Sequence, residues 1–161
     1  MDIALGYFMK AFFAPPGLDQ MLWYITSLEA LLGERGMGVS KRLAERVGAI
    51  LSNLGGGKKN KYSKRFEELY RLRNSLVHGV QFKKQARVAH LVDTYLFARS
   101  TILWFLHTLE AIQRKIINGE TDRRHVPGRE EILMLLDLDR KAGHRLKKLL
   151  DKLPETFFWQ S

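Results

Sequence analysis

The chain contains no cysteine. Disulfide staples and thiolate metal sites are therefore excluded, and the composition fits a reducing cytoplasm, the location expected. Proline is scarce. Its four residues (Pro15, Pro16, Pro127 and Pro154) all fall where a helix is expected to stop or a linker to run. No apolar run is long enough to span a membrane: the most apolar stretch, Tyr95 to Leu109, is interrupted by Arg99 and His107 and falls short of the roughly 20 residues required. The N-terminus is apolar but carries Asp2, with no basic leader and no small-residue cleavage site, so it does not read as a signal peptide. Its abrupt start is what a fragment of a longer chain would show. No stretch alternates with a period of two, no segment repeats, and the only low-complexity tract is Gly55-Gly56-Gly57.

Acidic residues are also unevenly supplied. The net charge of the 161 residues is +10. Residues 56–87 hold ten Lys or Arg against Glu67 and Glu68, a local excess of +8, whereas residues 1–55 balance to zero and residues 88–161 carry +2. A clustered basic patch attracts polyanions, nucleic acid first among them. A solvated face that serves only solubility is the alternative.

With strands absent, the periodicity predicts an all-α fold, an antiparallel helical bundle forming a single domain over residues 1–161. Helices are expected over about 2–13, 18–34, 40–53 (Ser40 as N-cap), 62–78, 84–118 and 129–153. In the second, Leu18, Leu22, Ile25, Leu28 and Leu32 share a stripe. The fifth carries Leu91, Tyr95, Ile102, Leu106 and Leu109 on one stripe, with Phe97, Trp104 and Phe105 off it. Such a helix is central or lies at an interface. The tail, Phe157-Phe158-Trp159, is expected to pack back or to meet a partner.

The fourth helix carries the most informative residues. On a wheel, Tyr62, Phe66, Leu69, Tyr70, Leu76 and Val77 form an apolar stripe with Arg73 in its middle, while Asn74 and His78 lie together on its flank. A guanidinium on a buried stripe is costly unless paired. Glu29, beside the stripe of the second helix, is the expected partner. The pair either orients a functional arginine or simply pins two helices together. His78, followed by Gly79 as a natural C-cap, either performs proton transfer or caps carbonyls at the helix end. Residues five apart on a regular helix stand about 140° from each other. Arg73 and His78 therefore share a site only if the last turn deviates or if two chains contribute.

Arg, an adjacent amide and His are parts sufficient for metal-free RNA cleavage. An imidazole moves protons near neutral pH, a guanidinium grips phosphate with two parallel hydrogen bonds, and Asn74 positions a phosphate oxygen or orients His78. Lys58, Lys59, Lys61, Lys64, Arg71, Lys83 and Lys84 would hold the strand. No cofactor or metal is expected. His90/Asp93 and His107/Glu110 have i,i+3 spacing but lie 17 residues apart on one helix, about 100° out of phase. Gly55-Gly56-Gly57-Lys58 is no phosphate loop, since Ser52 and Lys59 stand where Gly and Ser or Thr are needed.

The block Glu68-Leu69-Tyr70-Arg71-Leu72-Arg73-Asn74-Ser75-Leu76-Val77-His78-Gly79 resembles the motif of the HEPN superfamily, in particular its Apea-like branch. Leu18 to Leu22 and Leu28 to Leu32 resemble that family's preceding helix. Arg42 to Arg46 resemble the next, and Thr94 to Arg99 the helix after the motif, so the likeness covers roughly residues 7–150. The resemblance implies a homodimer whose motif helices line one cleft, with Arg73 and His78 as catalytic residues and Asn74 at the polar third position. It implies an endoribonuclease in defence or a toxin-like role, with an antitoxin-like or other protein partner. Val80 stands where some active family toxins carry Tyr. Other members only bind RNA or assemble complexes, and that is the alternative reading.

Overall fold

The computed structural model describes residues 1–34, 39–55, 58–78, 88–120 and 126–137. Among these residues there are six helices and no strand: α1 (Asp2–Phe13), α2 (Leu18–Leu32), α3 (Val39–Gly55), α4 (Lys59–Val77), α5 (Val88–Ile117) and α6 (Arg129–Asp137). None of the six is long and apolar enough to cross a membrane. Lys83, Lys84, Gly79, Val80, the stretch 138–153 assigned to the sixth helix and the tail Phe157-Phe158-Trp159 lie outside the described residues.

The boundaries follow local chemistry. α1 stops before Pro15-Pro16, with the Ala14 N–H closing on Lys10 and Ala11 carbonyls. α3 begins at Val39, so Ser40 sits inside its first turn instead of capping it. α4 begins at Lys59, three residues before the expected start. α5 ends in a Schellman motif. The Glu120 N–H reaches the Lys115 carbonyl at 2.9 Å and the Gly119 N–H reaches Ile116 at 3.1 Å, with Gly119 at φ +68°. That left-handed conformation is one glycine adopts without steric cost.

α1 packs on α2, α3 on α4, and α5 against α2 and α3. Trp104, Tyr24, Phe66, Phe105, Met21, Ile25 and Leu28 are the large side chains at the centre. Each contributes about 1.5–3 kcal/mol of burial free energy. α3 and α4 approach each other closely at Gly48. A Cβ there would stand 2.0 Å from Ser63 Oγ and 2.9 Å from the Lys59 carbonyl oxygen. Only a residue without a side chain permits that contact.

The buried face of α5 is not the apolar stripe expected. Thr94, Phe97, Ala98, Thr101, Ile102, Trp104, Phe105, Thr108 and Ile112 face inward, while Leu106 is exposed and Leu91, Tyr95 and Leu109 are half-buried. Threonines recur along that face. Two of them satisfy their hydroxyls on the preceding turn, Thr94 on the His90 carbonyl (2.5 Å) and Thr108 on the Trp104 carbonyl (2.7 Å). A hydroxyl bonded back to the i−4 carbonyl enters a core at little cost, so polarity did not mark the outside. On α2 the expected stripe is buried at Ile25, Leu28 and Leu32 and half-buried at Leu22, with Leu18 exposed and Met21, Tyr24 and Leu31 added to the buried face.

The C-terminal end of α2 carries no basic residue of its own. Two distant arginines supply what the helix dipole and the unpaired carbonyls require. Arg46 of α3, almost wholly buried, donates to the Leu32 carbonyl and grips Asp137 of α6 through two nitrogens, while its Nη2 also meets Glu34 Oε1 at 2.9 Å. Arg129 of α6 donates to the Leu31 carbonyl at 2.7 Å and to the Gly33 carbonyl. This clamp fixes the end of α2 that presents Glu29.

Candidate nucleic-acid site

The site is built where the C-terminal halves of α2 and α4 meet. Arg73 leaves α4 on its inward side, between Leu69, Tyr70 and Leu76, and is about one-fifth exposed. Its Nη2 donates to Glu29 Oε2 at 3.0 Å, the contact anticipated from the two stripes. Its Nη1 donates to Asn74 Oδ1 at 3.0 Å. The other carboxylate oxygen of Glu29 accepts from Tyr70 Oη at 2.7 Å, and the guanidinium carbon lies 5.7 Å from the Tyr70 ring centroid. One carboxylate thus bridges a phenol and a guanidinium. The Nε–H of Arg73 is buried and has no partner among the described residues. A donor of this kind is costly unless a water or an anion completes it.

Burial, and then the hydrogen bond to Glu29, push the Tyr70 hydroxyl up to about 12. Tyr70 is therefore a fixed donor, and it orients the carboxylate that orients Arg73. Nothing but spacing signalled this role. Tyr70 precedes Arg73 by three residues on one helix, which places a polar tip within reach of the same partner.

His78 occupies the C-cap of α4, exposed, at φ −90° and ψ 8°, with its N–H on the Asn74 carbonyl at 3.0 Å. The helix stays regular through Val77. Within one chain His78 therefore stands on a different side of α4 from Arg73, offset by about 140°. Val77, expected in the buried stripe, is exposed at the helix end, and Leu72 is buried in its place.

The basic segment divides by residue type. Its described arginines are engaged. Arg65 pairs with Asp93 (2.6 Å) and Glu68 (2.9 Å), Arg71 with Glu67 (3.6 Å), and Arg73 with Glu29. Lys58, Lys59, Lys61 and Lys64 are exposed and form no ion pair among the described residues. Lys61, Lys64, Arg71 and His78 fall within about 100° of arc on the solvent side of α4. Arg73 lies round the helix from them.

Neither of the i,i+3 pairs on α5 forms a metal set. Asp93 is held by Arg65, and His107 meets Glu110 at 3.5 Å. No three His, Asp or Glu side chains cluster as a metal would need among the described residues. The chain matches no family model, no curated protein and no solved structure.

Proposed function

We propose that the protein is a metal-independent endoribonuclease built as a helical bundle of HEPN type. It acts as a homodimer in an RNA-directed defence or toxin-like role, under control of an antitoxin-like or other protein partner. The observation that carries the reading is Arg73. Its guanidinium is pinned by Glu29 and Asn74, and it sits on the helix that the exposed His78 caps, together with exposed lysines that form no ion pair among the described residues. Pairing with Glu29 and Asn74 uses two of the five N–H donors of Arg73 and the Nε–H is buried, so two Nη hydrogens are left for a phosphate.

The chemistry follows from these parts. His78 of one copy removes the proton of a ribose 2′-OH, whose oxygen attacks the adjacent phosphorus. Arg73 of the second copy stabilises charge on the phosphoryl oxygens as the P–O5′ bond breaks. A protonated imidazole supplies the leaving oxygen with its proton. The products are a 2′,3′-cyclic phosphate and a 5′-hydroxyl. Lys58, Lys59, Lys61, Lys64 and Arg71, with Lys83 and Lys84 of the following segment, hold the strand by its phosphates.

The test is single-stranded RNA incubated with pure protein in EDTA. Cleavage that survives the chelator and disappears in Arg73→Ala and in His78→Ala is the expected result. Intact RNA with the wild-type protein overturns the enzymatic reading. A second reading, an RNA-binding or assembly module without activity, is favoured by one feature of the same site: Glu29 already balances the charge of Arg73. Salt-sensitive RNA binding without cleavage is its signature.

A further inference from the structure

We propose that the outer face of α1 pairs with α1 of a second copy, antiparallel, about a two-fold axis at Met9. The inner side of α1 is already used: Ala4 and Ala11 are fully buried and Phe8 packs into the core. The opposite side is apolar as well. Leu5 (41% exposed), Met9 (42%), Phe12 (53%) and Phe13 (75%) lie within about 100° of arc on it. Gly6 lies beside them, and a Cβ placed there would meet nothing within 4 Å.

The pattern is self-complementary. A two-fold axis perpendicular to antiparallel helices brings each edge of a stripe against the same edge of its partner, with heights reversed. Centred on Met9, that operation sets Leu5 against the second copy's Phe12 on one edge. On the other edge it sets the notch at Gly6 against the second copy's Phe13, and Met9 meets its own copy on the axis. Glycine inside a helix lowers stability relative to alanine, and the notch gives that residue a packing purpose. With Phe side chains contributing on the order of 100 Å² or more each, the stripe presents roughly 400 Å² per copy. The pair therefore hides about 800 Å², below the roughly 1,200 Å² at which stable specific interfaces begin, which defines a weak and concentration-dependent dimer. Only Asp2 and Lys10 are charged in α1, and Lys10 is drawn over the Trp23 ring at 3.5 Å. The face therefore lacks the basic border that an anionic lipid surface selects.

The proposal is independent of the ribonuclease reading, and cross-linking separates the two. The chain has no cysteine, so each single-cysteine variant reports one position. Met9→Cys is expected to form a disulfide dimer under mild oxidation. Ile3→Cys, exposed on the same helix but about 120° away, is expected to stay monomeric. Sedimentation of Phe13→Glu is expected to show self-association weakened at least tenfold. Gly6→Ala is expected to unfold at a higher temperature than wild type yet to associate more weakly, a combination that poor folding cannot produce. A chain that is monomeric at high concentration overturns the proposal, as does a dimer that cross-links equally at Ile3 and Met9. A cross-link through Val77→Cys with none through Met9→Cys also overturns it, while leaving the shared RNA cleft standing.

Discussion

Replacing Glu29 by alanine removes the acceptor shared by Tyr70 and Arg73. The side chains of Glu29 and Arg73 are 24% and 22% exposed. Their ion pair therefore falls between exposed pairs, which contribute at most about 1 kcal/mol, and buried pairs, whose disruption costs about 3–5 kcal/mol. About 2 kcal/mol is the corresponding loss. Tyr70, only 9% exposed, keeps an unsatisfied hydroxyl that adds about 1 kcal/mol, so Glu29→Ala is expected to cost about 3 kcal/mol in all. Arg73→Met keeps the apolar stem and leaves Glu29 with its Tyr70 donor, so it costs less, about 1–2 kcal/mol. In the double variant the carboxylate and the guanidinium are both gone, and the combined loss should fall short of the sum by about 1–2 kcal/mol. Urea unfolding monitored by helical circular dichroism measures each corner of the cycle, with an unchanged m-value confirming a common unfolded state. Losses that add to within about 0.3 kcal/mol would show that the two side chains do not interact energetically, and the positioning role of Glu29 would fall with that result.

Two further outcomes follow from the geometry. Gly48→Ala is expected to destabilise by about 1–3 kcal/mol despite the better helix propensity of alanine, because the new methyl meets Ser63 and the Lys59 carbonyl. A rise in melting temperature would mean that α3 and α4 do not approach as described. At alkaline pH the Tyr70 hydroxyl, held mainly by burial up to about 12 against an ordinary 10.0, binds its proton more tightly in the folded chain. The stability this contributes is complete below pH 10 and is lost between 10 and about 12. Urea midpoints across that window should fall less steeply in Tyr70→Phe. Burial also raises the Tyr24 hydroxyl, so that part of the loss persists in the variant.

The sequence was most readable where physics leaves few choices. A charged residue inside an apolar stripe must find a partner, so Arg73 pointed to Glu29, and the two meet. Helix ends at Pro15 and at Asn118-Gly119 were equally legible, because proline and a positive-φ glycine each permit little else. The inward face of α5 was less so. Threonine hydroxyls on α5 hide by bonding to their own helix, and a count of apolar residues passes over them. Arg46 and Arg129 were missed for a related reason. Each satisfies carbonyls at the end of α2, and a need for partners at a helix terminus names no residue in advance. The α4 site was half visible: spacing showed that Arg73 and His78 diverge, while the one signal for Tyr70, its place three residues before Arg73, was passed over.

The central claim is an Arg73 and a His78 from different copies acting on one phosphate. Complementation in EDTA tests it most directly. Arg73→Ala and His78→Ala protein, each inactive on single-stranded RNA alone, are mixed in equal amounts and allowed to exchange subunits. Random pairing makes half of the dimers mixed, each with one complete site of two, so about a quarter of wild-type cleavage is expected to return. No recovery from two variants that are each folded, beside an active wild-type protein, would contradict a site shared between copies.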